Sequence, residues 1–121
     1  SYRDRLVSKT AMRTSYLGIN CGVAPFGDAR VRRAVAHAID RDKALALINR
    51  RGRAATSLVP PGIAGWDEGA PVPRHDPAAA RALLREAGLE QGFDTALWVR
   101  TDETLLRLAQ SYQQDLAEVG V

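Results

Sequence analysis

The chain has 121 residues and a mass of 13.1 kDa, which is material for one domain at most. With 45% hydrophobic and 26% charged residues it is neither disordered nor fibrous, and no apolar run nears the roughly 18 residues of a membrane-spanning helix. The net charge of +3 is weak for a nucleic-acid binder, and fifteen of the 17 basic residues are arginine, a bias that fits a GC-rich coding genome as well as a function. Cys21 is the only cysteine, so neither an internal disulfide nor a multi-cysteine zinc site can form. His37 and His75 are too far apart for an HExxH metal site.

Residues 1–14 are polar and lack clear periodicity. The stretch from Ser1 to Arg5 has neither the apolar core nor the cleavage pattern of a secretory signal. Ser15–Asn20 reads as a short strand with Tyr16 and Gly18 on one face and Leu17 and Ile19 on the other. A turn region holding Pro25 and Gly27 follows. Asp28 is a good N-cap for a helix whose apolar stripe is Val31, Val35, Ala38 and Ile39. Asp40 interrupts that stripe and caps a second helix, which carries Leu45 and Ile48 and runs out near Gly52.

Residues 52–75 hold four prolines and four glycines, and Pro60-Pro61-Gly62 and Pro71-Val72-Pro73 exclude interior helix and central strand. This is a long loop, with Trp66 in its middle as an expected anchor to the body of the protein. Asp76 and Pro77 then open a third helix whose stripe is Ala80, Leu83, Leu84 and Ala87. Gly88 supplies a left-handed end residue and Leu89 the closing apolar contact. Thr95–Val99 reads as a second strand. Thr101 or Asp102 caps a last helix with the stripe Leu105, Leu108, Ala109, Tyr112, Leu116 and Val119, ended by Gly120.

The order β-α-α-loop-α-β-α is that of an α/β layer. Two strands make a poor sheet, so the chain reads as a single partial domain, residues 1–121, cut from a larger protein.

A catalytic constellation is not evident. Ser8, Ser15, Ser57 and Ser111 stand in no recognised nucleophile context, and neither a phosphate loop nor GxGxxG occurs. Asp28, Asp40 and Asp42 sit at helix starts, where capping explains them. His37 is expected as a surface or partly buried residue with a local hydrogen bond, and Cys21 is expected buried and inert, with nothing near it in sequence to lower its pKa apart from unplaced arginines. The expectation is a protein that is not an enzyme and holds no metal or cofactor.

The residues Tyr16-Leu17-Gly18-Ile19-Asn20, followed by Pro25-Phe26-Gly27-Asp28-Ala29-Arg30-Val31-Arg32-Arg33-Ala34 and Ala38-Ile39-Asp40-Arg41, resemble the signature of family 5 extracellular solute-binding proteins. These are the dipeptide-, oligopeptide- and nickel-binding components of bacterial ABC importers. Pro60-Pro61 with Trp66, Asp76-Pro77 through Glu86-Ala87-Gly88, Gly92-Phe93, and Asp115-Leu116 with Gly120 are similar to later blocks of that family in the expected order. The resemblance covers residues 14–121.

It implies a piece of the C-terminal lobe of a two-lobed periplasmic-binding-protein (type II) fold. Peptides or similar small solutes would be the ligands, and the membrane permease of an ABC importer the partner. Nucleic acid is not an expected partner, because the Arg30, Arg32, Arg33 block also occurs in the family pattern. The location implied is periplasmic or otherwise extracytoplasmic, a membrane-anchored lipoprotein included. The positions matching the family's ligand-facing strand and second-helix end are Tyr16, Gly18 and Asn49. Arg100 is the nearest candidate to an arginine that holds a ligand carboxylate in the dipeptide-binding branch, although the loop here is shorter.

A second reading makes the chain a ligand-sensing domain of the same fold in a cytoplasmic regulator or other fusion protein. In either case apolar surface intended for absent strands is expected to lie open, and self-association would cover it.

Overall fold

The computed structural model describes residues 2–5, 7, 9 and 11–121, so Ser8 lies outside the described residues. They divide into two units, the first formed from Ser1–Leu17 with Ala55–Pro71, the second from Gly18–Ala54 with Val72–Val121.

In the second unit, each α-helix begins on an aspartate. Asp28 caps α1 (Ala29–Ala38), its Oδ1 accepting the N–H of Arg30 at 2.8 Å. Asp40 caps α2 (Arg41–Leu47) through the N–H of Lys43 at 3.0 Å. Asp76 caps α3 (Pro77–Glu86) through Ala79, and Asp102 caps α4 (Glu103–Glu118) through Leu105, both at 2.9 Å. A short carboxylate is suited to this, because it reaches an N–H that helix geometry leaves without a partner.

Three helices also end alike. Beyond α3, the N–H of Gly88 reaches the carbonyl of Arg85 at 3.0 Å and that of Leu89 reaches Leu84 at 2.8 Å. Beyond α4, Gly120 reaches Ala117 at 3.1 Å and Val121 reaches Leu116 at 3.0 Å. Both patterns need a left-handed residue after the helix, and Gly88 (φ 76°) and Gly120 (φ 92°) supply it. Beyond α2 the same pair of bonds runs from Asn49 to Ala46 at 3.0 Å and from Arg50 to Leu45 at 2.8 Å. There Asn49 takes the left-handed position, with φ 54°. Helix α2 therefore stops at Leu47, short of the end expected near Gly52.

Helices α1 and α3 run antiparallel. Arg30 at the start of α1 donates through Nη1 to the carbonyl of Glu86 at the end of α3, at 2.7 Å. At the other end the N–H of Asp76 donates to the carbonyl of His37 at 2.8 Å. Between these links lie the core residues Val31, Ala34, Val35 and Ala38 of α1 and Ala80 and Leu84 of α3, joined by Leu116 and Val119. Alanine at three of these sites allows close approach of the helices. The expected stripe of α1 is correct except that Ala34 is buried and Ile39 only partly so.

The turn after α3 meets the end of α4. The N–H of Phe93 donates to the carbonyl of Gly120 at 3.0 Å. A Cβ on Gly92, whose φ is 77°, would lie 1.9 Å from that same oxygen, so only glycine fits. Phe26 and Phe93 pack edge to face, with ring centroids 5.6 Å apart.

The expected strands are not formed. Among the described residues there is no β-ladder, and Ser15–Asn20 and Thr95–Val99 are chain without regular structure. A strand exists only when a neighbour takes up its N–H and C=O groups, and neither run has one here. Among the described residues the β-α-α-loop-α-β-α order thus reduces to four α-helices. The side chain of Trp98 is 91% exposed.

Cys21 is a second correction: it is exposed, at the start of a series of tight turns that runs from Cys21 to Gly27.

In the first unit the Pro/Gly-rich stretch forms no helix or strand but a chain of turns. The N–H of Trp66 donates to Ile63 at 3.2 Å, and Thr56 Oγ1 to the carbonyl of Asp67 at 2.7 Å. Trp66 is half-buried.

Candidate functional site

The four residues singled out from the sequence are all exposed. Tyr16, in the first unit, is 75% exposed. Gly18, Asn49 and Arg100 belong to the second unit. Asn49 has the structural task described above, and Arg50 beside it is also left-handed, with φ 53°. The carbonyl of Arg100 accepts the N–H of Asp102 at 2.8 Å. The acids near Arg100 are engaged elsewhere: Asp102 caps α4, and Glu103 pairs with Arg107 at 2.5 Å. No hydrogen bond or ion pair among the described residues joins one of the four to another.

The most constrained polar group was not singled out from the sequence. Asp115 on α4 is only 4% exposed. Its Oδ2 accepts the backbone N–H of Asp40 at 2.9 Å, and its Oδ1 takes the ammonium of Lys43. One carboxylate of α4 thereby holds the first turn of α2 at two points. One helical turn earlier Ser111 is equally buried, and its Oγ has no partner. Burial pushes the phenol of half-buried Tyr112 above its ordinary value, opposed by the Arg41 charge and reinforced by that of Asp115. The sequence does carry a signal: Ser111 and Asp115 are spaced i, i+4 and flank the apolar positions Tyr112 and Leu116, so they share that face.

A groove of about 510 Å³ lies between the start of α2 and residues 72–75, lined by Asp40, Arg41, Asp42, Val72, Pro73, Arg74 and His75. Arg41 Nη1 donates to the carbonyl of Pro73 at 2.8 Å. His37 Nδ1 donates to the carbonyl of Arg74 at 2.9 Å, which fixes the proton on that nitrogen. His37 is thus half-buried with a hydrogen bond, as expected, but to a residue distant in sequence. Cys21 Sγ lies 3.8 Å from its near neighbour Ile19 O. Neither group is paired with the other or with a catalytic partner.

Among the described residues no group of three His, Cys, Asp or Glu side chains suits a metal ion, and no helix is long and apolar enough to cross a membrane.

Two arginines of the Arg30, Arg32, Arg33 block serve the fold. The guanidinium of Arg30 grips Asp28, with Nη2 2.6 Å from Oδ2, as well as Glu86. That hydrogen bond, together with the one from the Arg30 N–H, holds the Asp28 carboxyl down at about 2. Arg32 Nη1 donates to the carbonyls of Phe26 and Gly27 at 2.8 and 2.9 Å.

Comparison with known proteins gives a consistent set of matches. The model of bacterial extracellular solute-binding proteins, family 5 Middle, matches residues 2–121. The chain is 34% identical over 122 residues to the dipeptide-binding protein of Escherichia coli, covering 96% of this chain and 23% of that protein. It is 40% identical over 119 residues to the glutathione-binding protein GsiB of Salmonella typhimurium, again covering 96% of this chain and 23% of that protein. The chain therefore spans about a quarter of the length of these curated relatives. Among solved structures, the PBP/SBP MoaA from A.tumefacien in complex with mannopinic acid superposes with a TM-score of 0.72 at 37% identity. That match covers 84% of this chain and 21% of MoaA, and gives the chain the fold of part of a periplasmic binding protein.

Proposed function

The chain belongs to the bacterial extracellular solute-binding proteins of family 5, and from that premise we propose that it is part of the capture component of an ABC importer. In this reading it contributes a segment of the C-terminal lobe of a two-lobed type II protein. Thr95–Val99 and Ser15–Asn20 become strands when the rest of the sheet supplies their partners. The whole protein closes on a peptide or similar small solute and presents it to a membrane permease, on the outer side of the cytoplasmic membrane. It binds and releases its solute without chemical change. Closure is a population shift driven by contacts the ligand makes with both lobes.

One observation carries the reading. The residues of the motif blocks are the joints of the fold: Phe26 packs on Phe93, Gly92 abuts Gly120, and Asp28–Arg30 reaches Glu86. The family model matches residues 2–121, the span in which all of these joints lie.

Tyr16, Gly18, Asn49 and Arg100 are the proposed ligand-facing positions. All are exposed and none is needed to fill the core, which leaves them available to a solute. Arg100 would take a carboxylate.

Calorimetric titration of the full-length parent with dipeptides, glutathione and mannopinic acid tests the reading. Saturable binding of one of these supports it, and its weakening on Arg100→Ala supports the assignment of that residue. No binding across peptides, opines and metal chelates counts against solute capture.

A further inference from the structure

Helix α2 is a rod of seven residues, about 10 Å long. Its two ends differ in kind. The outer end is the turn at Asn49 and Arg50, both exposed and both held in the left-handed region. Left-handed backbone at non-glycine residues persists only where the surroundings over-determine it. The inner end is fastened by Asp115, a buried carboxylate that takes both the N–H of Asp40 and the ammonium of Lys43.

Asp40 in turn accepts the N–H of Lys43 at 3.0 Å, so its cap and the Asp115 contact act on the same turn. The α2–α4 contact thus has a polar, directional link at the first turn of α2, unlike the aliphatic α1–α3 core. An apolar contact tolerates sliding. A carboxylate with two assigned donors fixes one register.

We propose that Asp115 is a positioning residue for the proposed ligand site. By pinning the first turn of α2 to α4 it sets where the rod points, and so where the Asn49–Arg50 turn is presented to the solute. The inference rests on the reading of Asn49 as ligand-facing, and adds to it a residue that touches no solute.

The test uses the full-length parent carrying Asp115→Asn. Asparagine keeps one oxygen to accept the N–H of Asp40 but has no charge for Lys43. Lys43→Met is the second variant, made from a partly exposed residue in case the buried substitution fails to fold.

Hydrogen exchange is the first readout. The N–H of Arg50, bonded to Leu45, is expected to exchange about tenfold faster in both variants. The N–H of Leu89, bonded to Leu84 at the end of α3, is expected to stay unchanged. Unchanged exchange at Arg50, or equal acceleration at both sites, overturns the proposal.

Affinity for glutathione and for dialanine, by calorimetry, is the second readout. About a tenfold loss is expected in each single variant, with no further loss in the double variant. Leu84→Ala, which weakens the α1–α3 core without touching α2, is expected to leave affinity unchanged well below its unfolding temperature. A matching loss there, or full affinity in Asp115→Asn, overturns the link to the ligand site. A parent that binds no solute removes the capture reading itself, while the exchange experiment still decides whether Asp115 controls the far end of α2.

Discussion

The α1–α3 pair and the run Thr95–Val99 are both apolar in sequence, yet the first is the core and the second lies open. The helices satisfy their own backbone groups and need a neighbour only for one stripe of side chains. Val31, Ala34, Ala38, Ala80 and Leu84 find that neighbour within the chain. An extended segment needs a neighbour for its backbone as well, and Trp98 shows what happens without one. The lesson is that a helix can settle with one neighbour for its apolar stripe, whereas an extended run becomes a strand only beside another extended segment.

The largest expected effect comes from breaking the joint that closes the helical part. Gly92→Ala would place a Cβ against Gly120 O and impose a side chain on a left-handed residue. A loss of about 4 kcal/mol, measured by urea unfolding, is expected. Leu84→Ala should cost about 3 kcal/mol, because the site is fully buried between packed helices. Asp76→Ala, which removes the α3 cap, should cost about 1 kcal/mol. At the open end of the comparison, Trp98→Ser should change the stability of the isolated chain by less than about 0.5 kcal/mol. A larger loss would mean that this segment is covered in solution, and sedimentation would show whether a second copy covers it.

The acid limit sharpens the same contrast. Asp28 titrates at about 2 in the folded chain against an ordinary value of 3.8, because Arg30 favours its charged form. Its contribution to stability is therefore complete above the ordinary value and is lost as the pH falls from there through about 2. The urea midpoint of the wild-type chain should drop across that window more steeply than that of Arg30→Gln, whose profile should be flatter.

Much of the helical fold was legible because its signals are local. An aspartate before an apolar stripe starts a helix whatever surrounds it, and Asp28, Asp40, Asp76 and Asp102 all do so. Gly88 and Gly120 end helices for a reason equally local. The end of α2 was misplaced because Asn49, not Gly52, took the left-handed position, and asparagine signals this less strongly than glycine. Asp115 was missed because its partners, Asp40 and Lys43, are distant in sequence, and a carboxylate in a helix reads as solvent-facing until they are placed.

The sequence by itself determined where the four α-helices begin, where α3 and α4 end, which stripes are apolar, and the family, since caps, periodicity and ordered motifs are properties of neighbouring residues. The tertiary structure decided what those pieces meet. It set the burial of Asp115 and Ser111, the abutment of Gly92 on Gly120, and the unpaired state of both expected strands. The physical reason is that burial and β-pairing belong to pairs of distant segments, and the energy of a pair is not written in either partner alone.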